Sequence, residues 1–351
     1  MNSLSLGPLL LGFFTAALAA QNISLDLANS SHLNLEIIRG GALSTDGKRL
    51  FTWGDSLREW TLPGLRSRIL SKAKYNEGGC LMDVDQDGEM DLILQEGRQP
   101  GNLVWLHNPD WKSRTIDTGV ELHDCLPTTL LGHRGLLMIQ RYSQVRFYEP
   151  PPTLDAHWPM QEVYSFYTPS RQTGLLRADI DGDGLIDILA GNDWIKSPDR
   201  FDLPWHLFAI NTYNEVADSA MLQIALIEPA GGLVVSQGHM ENARVTWFEK
   251  PDDPRRLWIG HRLSHGLHLV NPHALAVFDF DGDGKPDIIA AEHNGKSSRL
   301  FVFLQQEERG SFRPVELPFR TDAIAIFPRA LGQFISIGAD NVTIWRYTVR
   351  K

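Results

Sequence analysis

One nine-residue acidic pattern occurs three times in this chain, at residues 83–91, 179–187 and 279–287. Carboxylates occupy its positions 1, 3, 5 and 9: Asp83, Asp85, Asp87 and Asp91, then Asp179, Asp181, Asp183 and Asp187, then Asp279, Asp281, Asp283 and Asp287. Position 6 is always glycine (Gly88, Gly184, Gly284), and a short apolar run follows each copy. Four carboxylates so close together repel one another and are costly to desolvate. A hard cation taking roughly six to eight oxygen ligands resolves that conflict, and calcium is such a cation. The glycine allows the sharp turn that brings positions 1, 3 and 5 onto one centre. The position-7 carbonyls of Glu89, Leu185 and Lys285 offer a further oxygen, and the Asp at position 9 closes the shell. The pattern therefore predicts three calcium sites.

An EF-hand does not fit, because its loop needs Glu at position 12 and a helix beyond. Position 12 here is Leu94, Ala190 or Ala290, in runs that read as strands. In the first copy Gln86 stands where the others have Gly182 and Gly282. That predicts a tighter turn or a weaker site there.

The acidic copies are 96 and 100 residues apart, and a second signature fills the gaps. Trp60, Trp105, Phe147, Trp194 and Trp247 are each followed three or four residues later by proline; Phe303 and Trp345 continue the series without it. Successive spacings are 45, 42, 47, 53, 56 and 42 residues. Each unit reads as four short strands with turn residues between them, which is the pattern of a β-propeller blade. The expected fold is all-β, a seven-bladed propeller over residues 21–351 with calcium loops in alternate blades. The blades are expected near 33–70, 76–117, 122–166, 172–211, 217–263, 271–317 and 321–351. The last unit has room for three strands, so residues 23–27 or 33–38 are expected to close it. The aromatics are read as filling between blades.

The formal net charge is −10, and the three motifs hold 13 of the 43 acidic residues. Three bound calcium ions would bring the charge to about −4, so the acidity is mostly that of the loops. It argues against a nucleic-acid partner. Residues 4–20, within an expected leader of residues 1–20, are apolar and end in small residues, with Ala17, Leu18 and Ala19 fitting a signal-peptidase site. Cleavage near Ala19 or Ala20 predicts a secreted or periplasmic protein. No later segment approaches the ~20 apolar residues of a membrane span. Export permits a disulfide, so Cys80 and Cys125 are either paired or two buried thiols.

With these residues in view, the sequence resembles the FG-GAP/VCBS repeat proteins, related in fold to the N-terminal propeller of integrin α subunits. The three acidic motifs carry the resemblance, and it covers essentially the mature chain. It implies a secreted, monomeric, calcium-binding propeller that serves as a recognition or scaffold module for a glycan or protein ligand.

Loops on the face opposite the calcium turns gather His239, His265, His268, His273 and His293, with Glu241 and Glu292 nearby. Three readings of them stay open: a polar rim, a sugar-binding patch, or a transition-metal or catalytic site. The catalytic reading names His239, His273, His293 and Glu292 as candidates in a carbohydrate-active lyase or dehydratase, since some secreted propellers of this kind act on sugars. Nucleophile, P-loop and HExxH motifs are absent from the sequence.

Overall fold

The computed structural model describes residues 22–153, 157–166, 173–211, 220–227, 231–238, 241–308, 310–330 and 332–350. The expected leader and His239 lie outside the described residues. Seven four-stranded antiparallel sheets form the blades of a propeller. Blade 1 holds Ile38–Leu43, Arg49–Gly54, Leu57–Thr61 and Arg66–Ser71. Blade 2 holds Tyr75–Met82, Asp91–Glu96, Gly101–His107 and Lys112–Val120, and blade 3 holds Leu122–Leu130, His133–Gln140, Gln144–Tyr148 and Met160–Ser165. Blade 4 is the shortest, with Leu175–Ala178, Asp187–Ala190, Asp193–Lys196 and His206–Ala209. Blade 5 holds Ala220–Ile227, Gly232–Gly238, Val245–Glu249 and Ile259–Arg262, and blade 6 holds Pro272–Phe278, Asp287–Glu292, Arg299–Gln305 and Phe312–Arg320.

Blade 7 takes Ala323–Pro328, Gln333–Gly338 and Asn341–Arg350 from the C-terminal end and its fourth strand, Asn22–His32, from the N-terminal end. The closing strand thus contains residues 23–27, while Ile38, at the end of the alternative stretch, opens blade 1. First strands of successive blades touch in order, and that of blade 7 touches that of blade 1, so the ring closes. Closure leaves no inner edge to pair with another chain.

The core consists of seven clusters, one in each gap between blades. Side chains alternate across a strand. In blade 2, Leu92 and Leu94 pack with Phe51 and Trp53 of blade 1, while Ile93 packs with Leu136 and Met138 of blade 3. A second strand covered on both faces can be apolar at every position, which explains the run after each acidic loop. The repeated aromatics are all buried, none more than 6 % exposed. Trp105, Phe147, Trp194 and Trp247 face the following blade, whereas Trp60, Phe303 and Trp345 face the preceding one. Trp105 pairs with Ile93 and Trp194 with Leu189, but in blade 6 the equivalent Ile289 pairs with Val302. Phe303, one residue further on, therefore packs toward blade 5, whereas Val302 packs toward blade 7.

Cys80 and Cys125 are disulfide-bonded, with Cα atoms 5.8 Å apart, and join the first strands of blades 2 and 3. Among the described residues no helix is long and apolar enough to cross a membrane.

Candidate metal centres and channel mouth

Each acidic nonapeptide forms the turn between the first and second strands of its blade. The loops are built by their own carboxylates. Asp179 accepts backbone N–H bonds from Gly182, Asp183 and Gly184 at 2.7, 3.2 and 2.9 Å, and Asp279 does the same from Gly282, Asp283 and Gly284 at 2.7, 3.1 and 3.1 Å. Asp83 accepts from Asp87 and Gly88. The position-6 glycines sit at φ of 90°, 87° and 86°, a region closed to most side chains. Gln86 adopts φ 61°, as Gly182 and Gly282 do at 78° and 74°, so the first copy reaches the same turn with a side chain held in the left-handed region.

The ninth-position Asp is held by its own loop and by the third strand. Asp187 accepts from Ser197 and Ile180 N–H at 2.8 and 3.2 Å, and Asp91 accepts from Asn108 and Val84 at 2.7 and 3.1 Å. Asp287 accepts from Gln305, Phe280 and Asp281 at 2.8, 2.9 and 3.3 Å. Each one ties the loop to the end of the third strand and is at most 1 % exposed. Burial pushes all three carboxyls up, that of Asp287 to about 7, against the backbone N–H groups that favour the charged form.

Oxygens of Asp179, Asp181 and Asp187 lie within 4.8 Å of one another, as do those of Asp279, Asp281 and Asp287. In blade 2 the corresponding group is Asp85 and Asp87 with His107, whose Nε2 is 3.0 Å from Asp85. Position 7 is varied. Glu89 pairs with Arg49 of blade 1 at 3.2 Å, and Lys285 reaches Asp283 and Glu307 at 3.1 Å each. In blade 4, Lys196 places its ammonium 2.6 Å from Asp181 and 2.5 Å from Asp183. Burial opposes the Lys196 charge, but those two hydrogen bonds prevail and raise its pKa, while Asp183 is held low by the same ammonium. The next blade braces each loop: Arg134 donates to the carbonyls of Asp83 and Val84, Lys250 to that of Ile180, and Tyr347 stacks on Phe280 at 3.9 Å.

The strands carry the chain from these loops to the opposite face. Asp287 and Glu292 bound one strand, about 17 Å long at ~3.3 Å per residue. At that far end the first strands bulge, and the displaced residues Arg39, His123, His273 and Ile324 line a cavity of about 290 Å³. Glu77, Asp124, Tyr142, Thr173 and Gln223 add to its polar wall. Tyr142 stacks on His123 at 3.5 Å, and Arg39 pairs with Asp55 at 3.1 Å. Burial pushes Asp124 up to about 7, although N–H groups of Cys125, Leu175 and Gly174 favour its charge. His273 Nδ1 lies 3.2 Å from the Ile324 carbonyl, and its ring centroid is 5.4 Å from that of His293. His293 Nδ1 is 3.0 Å from Asp322, outside hydrogen-bond geometry.

Of the sequence-derived candidates, the structure brings His273 and His293 together at the mouth. Glu292 stands between the same strands, but its two oxygens accept from Val270 N–H, Arg299 N–H and the Arg299 guanidinium, so its carboxylate is committed to the fold. His107, Lys196 and Asp322 went unnoticed in the sequence. His107 and Lys196 each stand two residues past the repeated aromatic, and comparing the repeats at that position would have found them.

No family model matches the chain, and no curated protein matches it. Solved structures do. The β-propeller domain of Cps50 (Swd1) from Myceliophteria thermophila is 14 % identical, covering 92 % of this chain and 99 % of that one, with a TM-score of 0.60. The structure of U3-55K is 12 % identical, covering 91 % and 98 %, with a TM-score of 0.59. At such identities the likeness is one of architecture: this chain is a seven-bladed β-propeller.

Proposed function

We propose that the protein is an exported, calcium-stabilised propeller of the FG-GAP/VCBS type, acting as a recognition or scaffold module whose glycan or protein ligand seats at the channel mouth. The observation that carries this reading is the gathering of acidic groups within 4.8 Å at three alternate blades. The donors suit the ion, since two of the three groups are all-carboxylate and calcium selects hard oxygens. Asp179, Asp181 and Asp187 would hold it in blade 4, and Asp279, Asp281 and Asp287 in blade 6. In blade 2, Asp85 and Asp87 are joined by an imidazole, a poorer partner for calcium. Bound calcium supplies the positive charge that lets clustered carboxylates stay ionised. At a thousand times its Kd each ion adds about 4 kcal/mol to stability. Chelation is therefore expected to lower the Tm sharply, and an unchanged melt in EDTA refutes the reading.

The mouth cavity of about 290 Å³ lies at the small end of the usual range for ligand sites. It suits one sugar ring or one side chain, held by charges of both signs and the Tyr142–His123 stack. A glycan array probed in calcium with wild type and Arg39→Ala tests this; equal binding by both moves the ligand elsewhere.

One observation favours a second reading, a carbohydrate-active lyase or dehydratase. The contact of His273 Nδ1 with the Ile324 carbonyl makes Nδ1 the donor and Nε2 the basic nitrogen at the cavity. New unsaturated-product absorbance from an array hit, abolished by His273→Ala, supports the enzyme. Binding without turnover supports the module.

A further inference from the structure

Blade 2 assembles its close group differently from its two counterparts. In blades 4 and 6 that group is drawn from positions 1, 3 and 9 of the loop, all aspartate. In blade 2 it is Asp85 and Asp87, from positions 3 and 5, with His107 from the third strand. One ligand atom of each lies within 4.8 Å of the other two. Each aspartate commits one oxygen to the loop, Asp85 to the Asp87 N–H and Asp87 to the Glu89 N–H, which leaves one oxygen of each for an ion.

The imidazole is aimed and held. Its Nε2 is 3.0 Å from Asp85 Oδ2. Its ring meets the buried Trp105 edge-on at 5.4 Å. The backbone just beyond it is fixed by the Asn108 N–H bond to Asp91 at 2.7 Å. On the other side of the ring, the buried Nδ1 has the Asp110 carboxylate 3.4 Å away. A carboxylate on the outer nitrogen is the usual support of a metal-bound histidine, because it fixes the ring and directs the lone pair of the inner nitrogen at the ion.

We propose that the blade 2 loop is a divalent transition-metal site of the zinc type, with Asp85, Asp87 and His107 as ligands and Asp110 as the positioning carboxylate, in place of a third calcium site. Calcium takes roughly six to eight hard oxygens, whereas an imidazole nitrogen suits zinc and its first-row neighbours. Zinc is satisfied by four donors, and three protein ligands leave one place for water. Asp85 and His107 are 19 % and 21 % exposed, so solution reaches the centre and supplies that water. Zinc bonds of ~2.0–2.1 Å set tetrahedral donors about 3.3 Å apart, and the Nε2–Oδ2 separation of 3.0 Å is close to that. The proposal concerns blade 2 alone and does not depend on calcium in blades 4 and 6.

A protonated His107 paired with Asp85 would give the same contact and bind no zinc, so the two are separable. The full chain, stripped with chelator and returned to saturating calcium, is titrated with zinc against a chromophoric competitor. Wild type is expected to bind one zinc per chain that the calcium does not displace. His107→Asn and Asp85→Asn are each expected to lose it, and Asp110→Asn, which alters only the outer nitrogen's partner, to weaken it about tenfold or more. His273→Ala, at the channel mouth, should leave it unchanged, with circular dichroism showing that each variant is folded. No zinc bound in calcium, zinc unaffected by His107→Asn, or zinc lost in His273→Ala overturns the proposal. Each of those results leaves the calcium reading standing, since the melt in EDTA tests it separately.

Discussion

Asp193 opens the third strand of blade 4 at the channel-mouth end and is 8 % exposed. Burial alone pushes its carboxyl from 3.8 to about 7, and it forms no ion pair among the described residues. An acid whose pKa is higher folded than unfolded binds its proton more tightly in the folded state. Its contribution to stability is fully present below 3.8 and is lost as the pH rises through 7. Linkage puts the loss between pH 5 and pH 8 at about 3 kcal/mol, most of it before pH 7. Asp193→Asn keeps the shape and removes the titration. Urea unfolding of both proteins from pH 5 to pH 8, at saturating calcium, measures the difference. Asp124, also near 7, titrates in both and cancels. The variant should gain on wild type by about 3 kcal/mol across that range and then level off. Parallel curves would show that the Asp193 carboxyl is solvated or paired, and the reasoning from burial would fail.

Other consequences are simpler to check. Gln86 holds φ 61° where its counterparts are glycine; Gln86→Gly should stabilise the fold by about 0.5–1 kcal/mol, the left-handed cost less the glycine entropy, and a lower urea midpoint contradicts this. The disulfide closes a loop of 45 residues; its reduction should cost about 4 kcal/mol on the chain-entropy account, and the unfolded, unreduced chain should show no free thiol. Deleting residues 22–32 removes the strand that pairs with Asn341–Arg350 and buries Leu25. Loss of cooperative melting is expected, and an unchanged melt refutes closure by that strand.

Much of the fold was legible because a propeller repeats its physics. Each blade must cover both faces of its second strand, so the apolar run and the buried aromatic recur at blade spacing. The N-terminal closing strand could be anticipated by length alone, since the last unit has residues for only three strands. Blade 6 shows the limit of such counting. Phe303 kept the spacing of the aromatic series, yet its pairing with Ile288 turns it toward blade 5. A signature read to within one residue cannot assign a face when faces alternate residue by residue.

The candidate sites were less legible, for two different reasons. The acidic loops advertise themselves because their carboxylates are contiguous, yet contiguity conceals what each carboxylate does. Position 9 looks like a metal ligand in sequence, and in three dimensions its oxygens also hold two or three backbone N–H groups. Removing Asp187 or Asp287 should therefore weaken the blade with calcium absent, whereas removing Asp181 or Asp281 should act through the ion. The channel mouth fails to advertise itself because its residues come from different blades. Arg39, His123 and His273 share no motif; they share a bulge, which adds one residue at the start of a first strand and re-aims its side chain inward. A bulge is a property of pairing between strands, and a single strand's sequence does not reveal it. The repeats could supply that missing information, because residues at one register in different blades meet the same surroundings. His107 and Lys196 share such a register, two residues past the repeated aromatic, and each places a nitrogen on a carboxylate of its own acidic loop.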